Sequence, residues 1–208
     1  IVFGNFRKHA LYTLPLIHGG GNYHLDSIGR SHATRLIVNE NPTLTESQII
    51  GLWQQYQNVS TTLYQPFPTS VDSTQHIDMW TQVLADDKVM ISEWTANRGT
   101  TQDTICENAA GAVFPGMGYQ VYRVPARSVG GVHYTYTNVV MCNDVVLIPS
   151  YTNATVAPLN ASALAAYQAA LPEKTIVPID CQALVGLAGV MHCICMHMPE
   201  HKGMRDGT

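Results

Sequence analysis

The sequence predicts a mixed α/β chain, with helices and strands interspersed along its length. Three observations carry this. A capping box, Thr45-Glu46-Ser47-Gln48, opens a helix, and an Ala-rich helix spans Leu159 to Leu171. Between and around them lie strand-like runs, among them Lys88-Val89-Met90-Ile91-Ser92 and Tyr119-Gln120-Val121-Tyr122-Arg123-Val124. Strands and helices that alternate, rather than occupying separate halves, indicate sheets and helices built together.

Taken in order, residues 1–17 open on a strand-like run, Ile1-Val2-Phe3, and end on Leu14-Pro15-Leu16-Ile17. Gly19-Gly20-Gly21 follows, a turn where a backbone can approach a ligand closely. Ala33 to Asn39 reads as a strand around Leu36, Ile37 and Val38. The capped helix runs to about Gln57, with Ile49, Leu52, Trp53 and Tyr56 on one face. Residues 60–75, rich in Pro, Thr and Ser, form a loop that leads to His76-Ile77-Asp78. After the strand at 88–92, residues 95–118 show no period and read as irregular. Tyr134 to Pro149 reads as a hairpin turned at Asn143-Asp144. The helix at 159–171 leads to a strand, Thr175 to Ile179. Leu184 to Val190 then leads to the final motif, His192-Cys193, and Pro199 ends that run.

Composition narrows the function classes. Apolar residues are 46% of the 208, enough for a sizeable core, and charged residues only 12%. A net charge of −4 excludes the basic face that nucleic acid requires. No apolar run reaches the length that spans a bilayer. Three Asn-x-Ser/Thr sequons, at Asn58, Asn153 and Asn160, together with the low charge, point to a secreted glycoprotein. Five cysteines leave at least one thiol unpaired beside at most two disulfides. The chain starts without Met and inside a strand-like run, as expected of a cut within a longer protein.

The candidate chemistry is that of a thiol nucleophile. Cys193 follows a His, and His76 and Asp78 supply a base and a carboxylate elsewhere in the chain. Taken alone, a cysteine is more often a buried core filler and a histidine a satisfied structural one. Cys195 is a second thiol two residues on. Met191, Met196 and Met198 read as packing, and Arg7 as a solvated surface residue.

Four motifs in order lift the candidates above that baseline: Gly20-Gly21-Asn22-Tyr23, Gln75-His76-Ile77-Asp78-Met79-Trp80, Tyr136-Thr137-Asn138 and His192-Cys193. In this order they resemble the guanidino-group-modifying enzymes, most nearly the bacterial-type peptidylarginine deiminases and their fungal relatives, with the agmatine deiminases next. The resemblance covers nearly the whole chain. It implies a five-bladed α/β propeller, the pentein fold, with one domain over 1–208 holding three to four blades. It implies Cys193 as nucleophile, His76 as general acid/base and Asp78 as the carboxylate that clamps a guanidinium. Asn138, Asp26 and Trp80 are expected to line the site, and His24 beside them. The implied reaction turns peptidyl-arginine into peptidyl-citrulline through a thiouronium adduct, with a small guanidine such as agmatine as the alternative substrate. A non-catalytic binding or defence protein on the same scaffold is the third reading. No metal and no organic cofactor are implied. The family's upstream Arg-Asp-Tyr-Gly-Pro-like stretch, with its second carboxylate, is absent from these residues. That carboxylate is therefore expected from an N-terminal polypeptide of the same protein.

Overall fold

The computed structural model describes residues 12–197. The expected first strand at 1–3, Arg7, Met198 and Pro199 lie outside them.

One unit occurs three times. In the first, β1 (His24–Leu25) pairs antiparallel with β2 (Arg30–Thr34). The chain then passes through α1 (Leu36–Glu40) and α2 (Glu46–Gln57) and returns as β3 (Ser60–Tyr64), parallel to β2. In the second, β4 (Thr81–Ala85) and β5 (Lys88–Glu93) are antiparallel, and β6 (Gln120–Pro125) returns parallel to β5. The helical run between them consists of α3 (Thr101–Asn108), a π turn (Ala109–Val113) and α4 (Phe114–Gly116). In the third, β9 (Val140–Cys142) and β10 (Val145–Ser150) are antiparallel, α5 spans Asn160–Ala170, and β11 (Thr175–Asp180) returns parallel to β10. A small hairpin, β7 (Arg127–Val129) with β8 (Val132–Tyr134), separates the second and third units.

Each unit closes around its own apolar cluster. The first holds Ile37, Ile49, Trp53 and Leu63. The second holds Phe67, Trp80, Trp94 and Phe114, and the third Val146, Ile148, Tyr151 and Tyr167. The third cluster also takes Leu84, Met90 and Val124 from the strands of the second unit, because the helix of the third unit packs on the neighbouring sheet as well as on its own.

Most expected elements occur where the sequence places them. The capping box forms: the Thr45 hydroxyl accepts from the Gln48 backbone, and the Gln48 side chain accepts from the Thr45 N–H. Such a cap is worth about 1 kcal/mol. The hairpin turns at Asn143, which takes the left-handed conformation (φ 50°) and pairs Val145 with Cys142. Tyr56, expected on the buried face of α2, is instead exposed.

Three segments differ. Residues 60–64, expected as the start of a loop, form strand β3, because they pair parallel with β2 along its whole length. Strand β2 ends at Thr34, and Leu36-Ile37-Val38 is helical. The Thr34 hydroxyl accepts the Leu36 N–H, which starts a helical turn that buries Ile37 alone. Residues 101–116, expected irregular, form the helical run of the second unit. The π turn inserts a residue and shifts the face, so no single 3.6-residue period runs through it.

All five cysteines are free thiols. The two buried ones, Cys106 and Cys181, lie in the cores of different units and cannot pair. Of the three sequons, Asn58 is exposed at the left-handed end of α2. Asn160 is committed inward: its amide donates to the Tyr151 carbonyl and its oxygen accepts from the Tyr136 hydroxyl.

Candidate active site

The site is assembled from the short turns that precede the three units and the one that follows the third. Three are 3₁₀ turns, Gly20–Asn22, Ile77–Met79 and His192–Ile194, and the fourth element is the loop Tyr136-Thr137-Asn138 that leads into β9. Asn138 lies 60 residues from Asp78 and 55 from Cys193, about one unit each way. The repeat thus delivers one polar group per unit to a common place.

Asparagines join these turns. Asn22, buried, accepts the Ile77 N–H and the Thr34 N–H through its side-chain oxygen. Asn138 does the same two units later. Its Oδ1 accepts the N–H groups of His192 (2.9 Å), Val190 (3.3 Å) and Cys193 (3.4 Å). Its amide nitrogen reaches both the Asp78 carboxylate (Oδ2, 2.9 Å) and Cys193 Sγ (3.0 Å).

Asp78 is fully buried. Its Oδ2 accepts from Asn138 and from His192 Nδ1 at 2.7 Å, and Cys193 Sγ lies 3.6 Å away. Its Oδ1 is buried and has no partner among the described residues. A buried carboxylate oxygen left without a donor costs free energy and is suited to a ligand's N–H. Desolvation first, and then the Asp78 charge, push the Cys193 thiol up to about 12, so it rests protonated. The Cys193 residue nonetheless remains open to solvent on one side.

Glycines make the close approach possible. A Cβ on Gly21 would lie 2.6 Å from Asp78 Oδ2 and 2.8 Å from His76 Nδ1. A Cβ on Gly19 would lie 2.6 Å from the His76 ring, and one on Gly189 2.7 Å from Cys193 Sγ. The His76 ring is therefore held against the Gly19–Gly21 backbone, beside Asp78, and makes no hydrogen bond among the described residues.

The sequence-derived candidates divide. Cys193, Asp78 and Asn138 meet directly, and His76 packs beside them. Asp26 and Trp80 correct the expectation that they line the site. Both oxygens of Asp26 are occupied, by Arg30 Nε and the Tyr119 hydroxyl (2.6 Å each) and by the Arg30 and Ile28 N–H groups. Trp80 lies two residues past Asp78 and is sealed between Phe67 and Tyr64 in the second core. Cys195 is exposed and bonds to neither Asp78 nor Asn138.

Three further groups had no assigned role in the sequence reading. His192 bonds Asp78, and its ring lies 5.4 Å from that of the buried His24. Asp72 lines a cavity of about 180 Å³ with Ser70, Ser73, Met79 and His133. Asp72 is buried, and among the described residues neither its Oδ2 nor either ring nitrogen of His133 has a partner. The sole sequence signal for Asp72 was its place four residues ahead of His76.

The family model described as Porphyromonas-type peptidyl-arginine deiminase matches residues 3–199. The chain belongs to this family. Among curated proteins it is similar to a "putative agmatine deiminase" of Vibrio parahaemolyticus, 24% identical over 90% of this chain and 59% of that one. A protein of the same name from a Shewanella species is 27% identical over 93% of this chain and 59% of that protein. This deiminase-family chain thus spans 59% of the length of the relatives it matches. Among solved structures it superposes on C. jejuni agmatine deiminase with substrate bound (TM-score 0.78, 16% identity, 94% of this chain, 60% of that one). It also superposes on a "putative arginine deiminase" of Porphyromonas gingivalis (TM-score 0.76, 26% identity, 90% and 58%). The three repeated units are accordingly blades of the pentein α/β propeller.

Proposed function

We propose that this protein hydrolyses the guanidino group of a small cationic guanidine, of the agmatine class, to a ureido group and ammonia. The observation that carries this is Asp78 Oδ1, a buried and unpartnered carboxylate oxygen beside Cys193. A guanidinium is planar and cationic, and a carboxylate holds it by charge-assisted N–H bonds. Once bound there, its charge offsets that of Asp78, and the thiol deprotonates more readily.

The Cys193 proton passes to His76 as sulfur adds to the guanidinium carbon. His76 returns the proton to the departing nitrogen, and ammonia leaves with its bonding pair. A thiouronium remains on Cys193. Water, giving one proton to His76, then adds at the same carbon; the C–S bond breaks, sulfur leaves with its bonding pair and takes that proton from His76, and the second water proton is lost to solvent as the ureido C=O forms. Orientation of the guanidinium carbon over sulfur supplies several kcal/mol of the barrier.

The agmatine class is favoured over peptidyl-arginine by two things. Relatives and a solved neighbour carry that name. The cavity beside Met79 also presents the buried Asp72 carboxylate, which suits a second cationic group and opposes a carboxylate. A second carboxylate on the guanidinium is expected from polypeptide outside residues 1–208.

The test is ureido product from protein isolated from its source, with agmatine compared against a peptide ending in arginine. Agmatine should be preferred at least about tenfold in kcat/KM, the scale of a 1.4 kcal/mol difference. Preference for the peptide would restore peptidyl-arginine as the substrate. No product from either, with Cys193→Ala indistinguishable from the parent, would leave the non-catalytic reading.

A further inference from the structure

His192 touches the reacting groups and yet performs no step of the chemistry. Its Nδ1 lies 2.7 Å from Asp78 Oδ2, and because an ionised carboxylate only accepts, Nδ1 carries the proton. Asn138 supplies the second donor to the same oxygen at 2.9 Å. Two good donors saturate Oδ2, whereas Oδ1 has none. A half-turn of the carboxylate about its Cβ–Cγ bond merely swaps two equivalent oxygens, but any lesser rotation tilts the carboxylate plane and breaks both bonds, so the two donors fix the plane in which the free oxygen is presented.

Asn138 is poorly placed to hold this orientation alone. Its amide nitrogen is shared with Cys193 Sγ and with Met79 Sδ at 3.6 Å, and its oxygen serves three backbone N–H groups. His192 is fixed at three points. Its N–H is held by Asn138, its Nδ1 by Asp78, and its ring packs on His24. His24 is anchored in turn by Nε2 on the Thr81 carbonyl, 3.1 Å away in β4. Burial first, then the neighbouring histidines, lower the His24 pKa to about 3, so this backing ring stays neutral and does not repel His192.

We propose that His192 is a positioning residue that locks the Asp78 carboxylate by its Nδ1–H, so that Oδ1 alone faces the guanidinium. The proposal rests on the reading of Asp78 as the guanidinium acceptor, and it adds a determinant of how that acceptor is aimed.

Two substitutions separate the hydrogen bond from mere packing. His192→Asn keeps a donor near the Nδ1 position and loses the ring. His192→Phe keeps the ring against His24 and loses the donor. With agmatine as substrate, His192→Phe should raise KM at least about tenfold, as expected for a lost bond to a charged group, with kcat changing less. His192→Asn should stay within about threefold of the parent, a rescue that packing cannot explain. The reverse order, or equal loss in both, overturns the proposal.

A second readout does not need turnover. Site-resolved alkylation of Cys193 by iodoacetamide, without substrate, senses the Asp78 charge next to the thiol. His192→Phe leaves that charge less compensated and should slow alkylation severalfold, while His192→Asn should not. If the parent protein forms no ureido product, the proposed function falls, and the alkylation order still decides the role of His192. Should His192→Phe fail to fold by thermal unfolding, His192→Ala takes its place in both comparisons.

Discussion

At the scale of single residues, the site sets a carboxylate against a thiol. In the proposed reaction Asp78 holds the guanidinium, yet its charge adds to burial in keeping the Cys193 thiol protonated in the free protein. Asp78→Asn should therefore act in opposite directions on two measurements. Turnover should fall at least about a hundredfold, since losing one partner of a desolvated charge pair costs roughly 3–5 kcal/mol. Alkylation of the substrate-free thiol should become faster, because the like charge that disfavours the thiolate is gone. The sign with pH follows. A thiol whose pKa is raised to about 12 reacts slowly near neutrality and faster as pH rises toward that value, and the Asn variant should begin its rise at lower pH. A variant that loses turnover with unchanged alkylation would mean that Asp78 does not tune the thiol.

At the scale of elements, the turns ahead of each unit matter more than the helices behind. The Gly19-Gly20-Gly21 turn shows this with an internal control. A methyl on Gly21 would collide with Asp78 Oδ2 and His76 Nδ1, whereas one on Gly20 would meet nothing within 4 Å. Gly21→Ala should lower kcat/KM at least about tenfold, because small misplacements of catalytic groups are costly. Gly20→Ala should leave it within about twofold, the more so since exposed-turn substitutions are near neutral. Kinetics of the two variants, alongside their melting temperatures, check this; equal activity would mean that His76 is free to move away. The helix cap gives a contrasting case. Thr45→Ala should remove about 1 kcal/mol and lower Tm by about 2–4 °C for a domain of this size, with no effect on KM.

At the scale of the whole molecule, the exposed large apolar residues are unevenly spread. Tyr12, Ile17, Leu25, Ile28 and Tyr56 belong to the first unit or its approach, and Leu187, Ile194 and Met196 follow the third. The second unit contributes none to that set among the described residues. In a closed propeller the middle blade is covered on both sides by its neighbours. Apolar groups gathered at the two outer units are those that further blades would cover. Native and denatured mass spectrometry of protein from its source should show further polypeptide accompanying these residues, in the same chain or bound to it. A chain of 208 residues that stays a lone monomer at tens of micromolar, binds no hydrophobic dye and still turns over a guanidine would refute this arrangement.

The sequence by itself determined the alternation of helices and strands, the capped helix at 46–57, the turn at Asn143 and the four motifs that carry Cys193, His76, Asp78 and Asn138. Each of these is local: a cap, a period or a short motif is complete within a few residues, so its physics can be read there. What only the tertiary structure decided is non-local. Leu36-Ile37-Val38 became helix because a Thr34 hydroxyl ended the strand, and a π turn hid the helix at 101–116 from any periodic pattern. Asp26 and Trp80 sit close in sequence to Asn22 and Asp78, whose turns meet. Asp26 is bound by the nearby Arg30 and by Tyr119, 93 residues on, and Trp80 is sealed in a core by Phe67 and Tyr64, so packing that no short motif records consumed their surfaces. His192 gained its contact with Asp78 for the same reason. The two are 114 residues apart, and only the repeat of blades brings the turn that follows the third unit onto the turn that precedes the second.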